Sequence, residues 1–144
     1  MNNSLQIREI TEEAEMLQQF PLIQYLNPTM EVARYETLIR QMLPLNYKMV
    51  GVFDGATCLG LSGYWVATKL YSGKYLEVDN FVVDEQCRSR GIGKLLLDWL
   101  TQEAQKHQCE TMMLDAYVVN HAAHKFYLRE GFVIKGFHFL KRLA

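Results

Sequence analysis

Val83-Asp84-Glu85-Gln86-Cys87-Arg88-Ser89-Arg90-Gly91-Ile92-Gly93-Lys94 joins a strand-like run to a helix-like one. Upstream, residues 75–83 end on the apolar Phe81-Val82-Val83 and read as a strand. Downstream, Ile92, Leu95, Leu96, Trp99 and Leu100 recur at helical spacing, predicting a helix over 92–107 with one core-facing stripe. Two glycines one residue apart open that helix. Glycine tolerates positive φ and lets backbone approach a ligand closely. The first N–H groups of a helix lack internal partners and lie at the positive end of its dipole. With Arg88, Arg90 and Lys94 around them, these groups suit a phosphate or pyrophosphate. The same residues also suit a plain glycine turn with a solvated basic face. Neither the P-loop pattern GxxxxGK[ST] nor the dinucleotide pattern GxGxxG is present.

Working outward, residues 111–116 form the next strand, 121–129 a helix stopped by Gly131, and 132–140 a last strand. On the other side, Asp54-Gly55 marks a hairpin turn between strands over 47–53 and 57–67, with a second hairpin around 70–74. Leu5-Gln6-Ile7-Arg8-Glu9-Ile10 alternates apolar and polar residues as a first strand. Thr11 is placed to cap a helix over 12–19, and Thr29 one over 30–42, with Pro21 and Pro28 punctuating the stretch between. The order β-α-α-β-β-β-α-β-α-β predicts a mixed α/β sandwich: a partly parallel sheet flanked by helices. No linker or repeat divides residues 1–144, so a single domain is expected.

Fifteen basic residues against sixteen acidic ones give a net charge of −1, which offers no general attraction to nucleic acid or anionic membrane. Cys58, Cys87 and Cys109 are odd in number and form no CxxC, as expected of unpaired thiols in a reducing cytoplasm. The polar start Met1-Asn2-Asn3-Ser4 lacks signal-peptide character. His121 and His124 share a helix face, but no further ligands stand near them in sequence, and no metal is expected.

Arg88-Ser89-Arg90-Gly91-Ile92-Gly93 resembles the R/Q-x-x-G-x-G/A acyl-CoA loop of the GNAT superfamily of N-acetyltransferases. Residues 120–132, Asn120-His121-Ala122-Ala123-His124-Lys125-Phe126-Tyr127-Leu128-Arg129-Glu130-Gly131-Phe132, resemble that family's N-x-x-A-x-x-F-Y-x-x-x-G-F segment. The two motifs occur in the family's order and on the corresponding elements. Cys87 and Ser89 stand where the family often has an aromatic residue and a glycine.

The resemblance implies an acyl-CoA N-acyltransferase fold and acetyl transfer from acetyl-CoA to an amine. Such a reaction requires an amine freed of its proton, stabilisation of the developing oxyanion and a proton for the departing thiolate. By this resemblance, Arg88, Ser89, Arg90, Gly91, Ile92, Gly93 and Lys94 hold the pyrophosphate, and the backbone of Phe81, Val82 and Val83 meets pantetheine and the thioester carbonyl. Asn120 bonds pantetheine, caps the following helix, or does both. Tyr127 aligns with a general acid near the sulfur, against the alternative of a packing residue beside Phe126. Asp79 is the first candidate for the base and Glu77 the second; either alternatively binds a cationic substrate or caps a neighbouring group. The acceptor is left open among small amines, amino acids, peptide N-termini and lysines, as is a homodimer. A non-catalytic acyl-CoA-binding module is the competing reading; it would need the glycine loop but not Asp79 or Tyr127.

Overall fold

The computed structural model describes residues 4–144; Met1, Asn2 and Asn3, most of the polar start, lie outside the described residues. Five strands form one sheet in the order β1-β2-β3-β4-β5: Leu5–Ile10, Lys48–Asp54, Thr57–Lys69, Gly73–Val83 and Thr111–Leu114. The first four are antiparallel neighbours, and β5 joins β4 in parallel. That one parallel pair follows from its connection. Helix α4 (Ile92–Lys106) carries the chain back across the sheet, as a parallel crossover requires.

Side chains alternate across the strands and build two cores. On one face Met49, Phe53 and Leu61 pack with Met16, Ile23 and Ile39 of helices α1 (Glu13–Leu17), α2 (Phe20–Leu26) and α3 (Val32–Met42). On the other, Val50, Val52, Tyr64, Leu76 and Val78 meet Ile92, Leu96, Leu97 and Leu100 of α4. Phe126 of helix α5 (His121–Arg129) joins this second core. The expected α4 stripe is buried at Ile92, Leu96 and Leu100, whereas Leu95 faces outward and Leu97 takes its place in the core. Among the described residues no helix is long and apolar enough to cross a membrane. All three cysteines are free and partly buried.

Several expected boundaries change. Thr11 caps nothing: α1 begins after Glu12, without a side-chain cap. The helix expected over 12–19 stops at Leu17, and an unforeseen α2 follows with Pro21 in its first turn, where a missing N–H costs no hydrogen bond. Helix α3 likewise starts after Glu31, not at Thr29. The hairpin turn is Gly55-Ala56, with Asp54 paired to Thr57 and Gly55 at φ +61°. Strand β5 ends at Leu114, two residues early.

The largest correction is at the last strand. Residues 133–144 form neither helix nor strand. Their apolar, β-branched composition favours a strand, but a strand exists only by pairing, and no edge of the sheet takes this segment up.

Candidate active site

Strand β4 changes its pairing midway. Gly63 of β3 faces Asp79, but Leu61 faces Val82, so Ser62 opposes both Asn80 and Phe81. This is a β-bulge, and its first residue, Asn80, adopts a left-handed φ of 60°. A non-glycine residue in that region is strained unless its surroundings hold it. Here they do. Asn80 Nδ2 donates to the Tyr47 hydroxyl at 3.1 Å, and Tyr47 is buried. The Tyr47 ring packs against Trp65 at 5.1 Å, and Trp65 Nε1 donates to Asp79 Oδ2 at 2.8 Å. Gly63 makes room for this cluster, since a Cβ there would collide with the Tyr47 hydroxyl.

On its other side β4 pairs with β5 only from Tyr75 to Val78. Beyond Val78 the β5-facing edge of β4 has no strand partner, so Asp79 to Val83 border an opening. The three sequence-predicted backbone residues, Phe81, Val82 and Val83, all lie there. The Phe81 ring meets Phe126 and Tyr127 of α5, each with centroids 6.0 Å away. Gly93 also faces Phe81 and Phe126, with room for a methyl group but little more. The end of β4, the start of α4 and Tyr127 therefore converge at one opening.

The glycine loop is shaped as its residues demand. Asp84 Oδ1 accepts from Gln86 N at 2.9 Å and starts a 3₁₀ turn over Glu85–Arg90. Gly91 then turns the chain into α4 with φ +74°, and a Cβ on it would meet no neighbour. Among the described residues no side chain caps α4 at Gly91, leaving its first N–H groups to the loop. Arg88 and Ser89 are exposed, and Ile92 is buried beneath. The other two basic residues are engaged elsewhere: Arg90 lies 3.7 Å from Asp54 at the β2–β3 turn, and Lys94 bonds Asp98 at 2.9 Å and Glu130 at 3.1 Å. One buried Arg90 guanidinium nitrogen has no hydrogen bond among the described residues.

Tyr127 is packed among Phe81, Phe126 and Phe132, and burial pushes its phenol up to about 12. It therefore keeps its proton at neutral pH. Its hydroxyl makes no hydrogen bond among the described residues. Asn120 Oδ1 accepts from Ala123 N at 3.1 Å, capping α5 while its amide nitrogen stays available. His124 Nε2 bonds the Tyr117 carbonyl at 2.8 Å. Among the described residues no cluster of three His, Cys, Asp or Glu side chains could hold a metal.

Glu77 and Asp79 share one face of β4, because the bulge begins only after Asp79. Burial raises the Glu77 carboxyl above the ordinary range, and the negative charges of Asp115 and Asp79 add to that shift. What sequence reasoning missed is the support: Tyr47, Gly63, Trp65 and Asn80. Asn80 beside a strand's apolar end is the one visible hint, since asparagine tolerates left-handed backbone better than most residues.

The comparisons agree with this fold. The chain matches the Acetyltransferase (GNAT) family over residues 12–132. It is 24% identical over 139 residues to the uncharacterized N-acetyltransferase YhdJ of Bacillus subtilis, covering 95% of this chain and 98% of that one. It is 37% identical over 67 residues to the aminoalkylphosphonate N-acetyltransferase of Salmonella typhimurium, covering 46% and 44% of the two. An aminoglycoside acetyltransferase from an uncultured soil metagenomic sample superposes with a TM-score of 0.85 at 19% identity, covering 99% of both chains. Aminoglycoside N-acetyltransferase AAC(6')-Iy, solved with CoA, gives 0.83 at 16% identity over 96% of this chain and 94% of that one. This chain belongs to the GNAT family and is an acetyl-CoA-dependent acetyltransferase.

Proposed function

We propose that this enzyme transfers an acetyl group directly from acetyl-CoA to the primary amine of a cationic small molecule. One observation carries the reading. The unpaired edge of β4, the uncapped start of α4 and the protonated Tyr127 hydroxyl border the same opening, and the Glu77 and Asp79 carboxylates stand just upstream on β4, on the strand face that carries Trp65. Acetyl-CoA supplies an activated acyl thioester. The chain's groups fit it: N–H groups from Gly91 to Gly93, with Arg88 and Ser89, face a pyrophosphate, and Gly91 presents no side chain in their way. Arg90, only loosely paired to Asp54, adds positive charge, and Lys94 does so when the cofactor draws it from Asp98 and Glu130. The Asn120 amide and the Phe81–Val83 backbone align the pantetheine arm, and backbone N–H groups there offset charge developing on the carbonyl oxygen.

Proton traffic falls to three side chains. Asp79, held by Trp65 and next to the bulge, takes the proton from the attacking amine. Glu77 lies two residues farther along the strand, roughly 6–7 Å from Asp79, and receives the substrate's ammonium or relays its proton. Tyr127 gives its proton to the departing sulfur. The names of the aminoalkylphosphonate and aminoglycoside relatives, together with the carboxylates, favour small polyfunctional amines over protein lysines.

Thiol release from acetyl-CoA, measured across aminoalkylphosphonates, aminoglycosides, polyamines and lysine peptides, tests the reading. Amine-dependent release is expected with a small-molecule member of the panel. In single turnover, Tyr127→Phe should slow transfer by roughly 10²–10⁴-fold, the usual scale of general acid catalysis. CoA binding with no release for any amine would instead favour a binding module. An unchanged rate in Tyr127→Phe would return that ring to packing alone.

A further inference from the structure

Between helices α2 and α3 and the segment that follows β5 lies a concavity of about 340 Å³. Leu26, Asn27, Thr29 and Met30 line one side of it, Arg34 of α3 another, and Tyr117 the third. Leu26 and Met30 pack against the cluster that includes Tyr47, as does Trp65, which holds Asp79. Tyr117 stands three residues beyond Leu114, and Leu114 pairs with Val78, the neighbour of Asp79. Three residues of chain span at most about 11 Å. The concavity therefore lies within a small molecule's length of the two candidate carboxylates.

Its lining carries one sign of charge. Arg34 brings a guanidinium, Asn27 an amide, Thr29 and Tyr117 a hydroxyl each, and among the described residues no acid lines it. None of these four side chains makes a hydrogen bond or ion pair among the described residues. Glu31 and Glu36, the acids nearest Arg34 in sequence, form no ion pair with it. Donors grouped around one unpaired guanidinium suit an oxyanion, which accepts several hydrogen bonds and can take two from arginine at once. Glu77 and Asp79 suit the opposite charge. We propose that the concavity receives an oxyanion on the far end of the acceptor, so that the substrate is an amine tethered to an anionic group and Arg34 selects it.

The inference rests on acetyl transfer at the edge of β4 and narrows its acceptor: the cation is the reacting end only. A second ammonium in the concavity would meet the like charge of Arg34 with no lining acid to offset it. A plain alkyl chain would leave the four donors as they are and gain nothing from them. Arg34 is exposed and belongs to neither core, so its replacement leaves the fold intact.

Length-matched acceptors test the site: 3-aminopropyl- and 6-aminohexylphosphonate, each beside its n-alkylamine and its α,ω-diamine, followed by thiol release at saturating acetyl-CoA. At one length or both, the phosphonate should have a lower KM than the alkylamine and the diamine. Arg34→Gln should raise the phosphonate KM by roughly 10–100-fold, the scale of a hydrogen bond to a charged group, and leave kcat and the alkylamine KM unchanged. Arg34→Glu should reverse the order of phosphonate and diamine. A wild-type enzyme without preference for the phosphonates overturns the proposal, and so does an Arg34→Gln variant that loses all amines equally. Calorimetric titration of the phosphonates into the CoA-bound chain separates this inference from the activity. If no amine is acetylated, transfer to small amines fails, yet phosphonate binding that Arg34→Gln removes still upholds the anion site. No such binding overturns it.

Discussion

Asp79 and Glu77 are neighbours on one face of β4 with different surroundings, and those of Glu77 predict how it responds to pH. Trp65 fixes the Asp79 carboxylate from the bulge side. Glu77 has burial and two negative neighbours working against its charge, only partly offset by Lys69 and His138. Above its raised value Glu77 is ionised in both folded and unfolded chains, and burial penalises only the folded one. Below the ordinary carboxylate range it is protonated in both, and the penalty disappears. Glu77→Gln should therefore raise the unfolding midpoint at neutral pH, with the gain fading as pH falls from the raised value to the ordinary carboxylate value and gone below it. Chemical denaturation at several pH values measures this, and an equal gain at every pH would contradict it. In turnover the order reverses: Asp79→Asn should cost more than Glu77→Gln, and its deficit should shrink at high pH, where more amine is already neutral. The sequence spacing alone revealed that both carboxylates share a face, but it could not reveal the charges around Glu77, which come from Asp115 and His138 in distant segments.

At the scale of the element, β4 owes its function to a defect. A regular strand would remain aligned with β3 throughout; one extra residue at Asn80 shifts the register, and beyond it Phe81 meets α5 while Val82 packs into the α1–α3 core. Tyr47 enters this arrangement from the residue before β2, and Gly63 from β3, so three separate segments hold one backbone conformation. Asn80→Ala keeps the left-handed requirement while removing both asparagine's tolerance for it and the bond to Tyr47. It should destabilise the fold by roughly 1–3 kcal/mol and raise the KM for acetyl-CoA. Asn80→Gly should recover most of both losses, since glycine takes positive φ freely. Equal damage from alanine and glycine would show that backbone conformation is not what Asn80 supplies. The glycine loop, α4 and α5 were legible from the sequence because their signals are local: turn residues, a 3.6-residue period, a capping asparagine. The bulge, α2 and the fate of residues 133–144 were not. Each is decided by contacts distant in sequence, and the proline that opens α2 looks the same in sequence as one that breaks a helix.

Across the whole molecule, the two cores are tied together by the sheet, and the candidate site sits where α4, α5 and the end of β4 meet on the second of them. Helices α1 to α3 cover the face of the sheet to which Tyr47 and Trp65, and through Trp65 the Asp79 carboxylate, belong, and there Met30 and Arg34 share a shallow concavity with Tyr117. A cofactor lying along β4 from the glycine loop to Tyr127 would bridge three elements that are otherwise joined mainly by apolar packing. Binding selective for the folded chain stabilises it by mass action, about 2.7 kcal/mol at a hundredfold excess over Kd. For a domain of this size, each kcal/mol raises Tm by roughly 2–4 °C, so CoA at that excess should raise Tm by about 5–11 °C. Gly91→Val should abolish the shift, because valine at φ +74° distorts the turn that aims the first N–H groups of α4. Hydrogen exchange localises the effect. Protection by CoA should appear at residues 79–83, at the start of α4 and along α5, and leave β1 and β2 unchanged. A folded Gly91→Val protein with the full thermal shift would remove the loop from the site. Protection confined to α1–α3 would move the cofactor to the other face of the sheet.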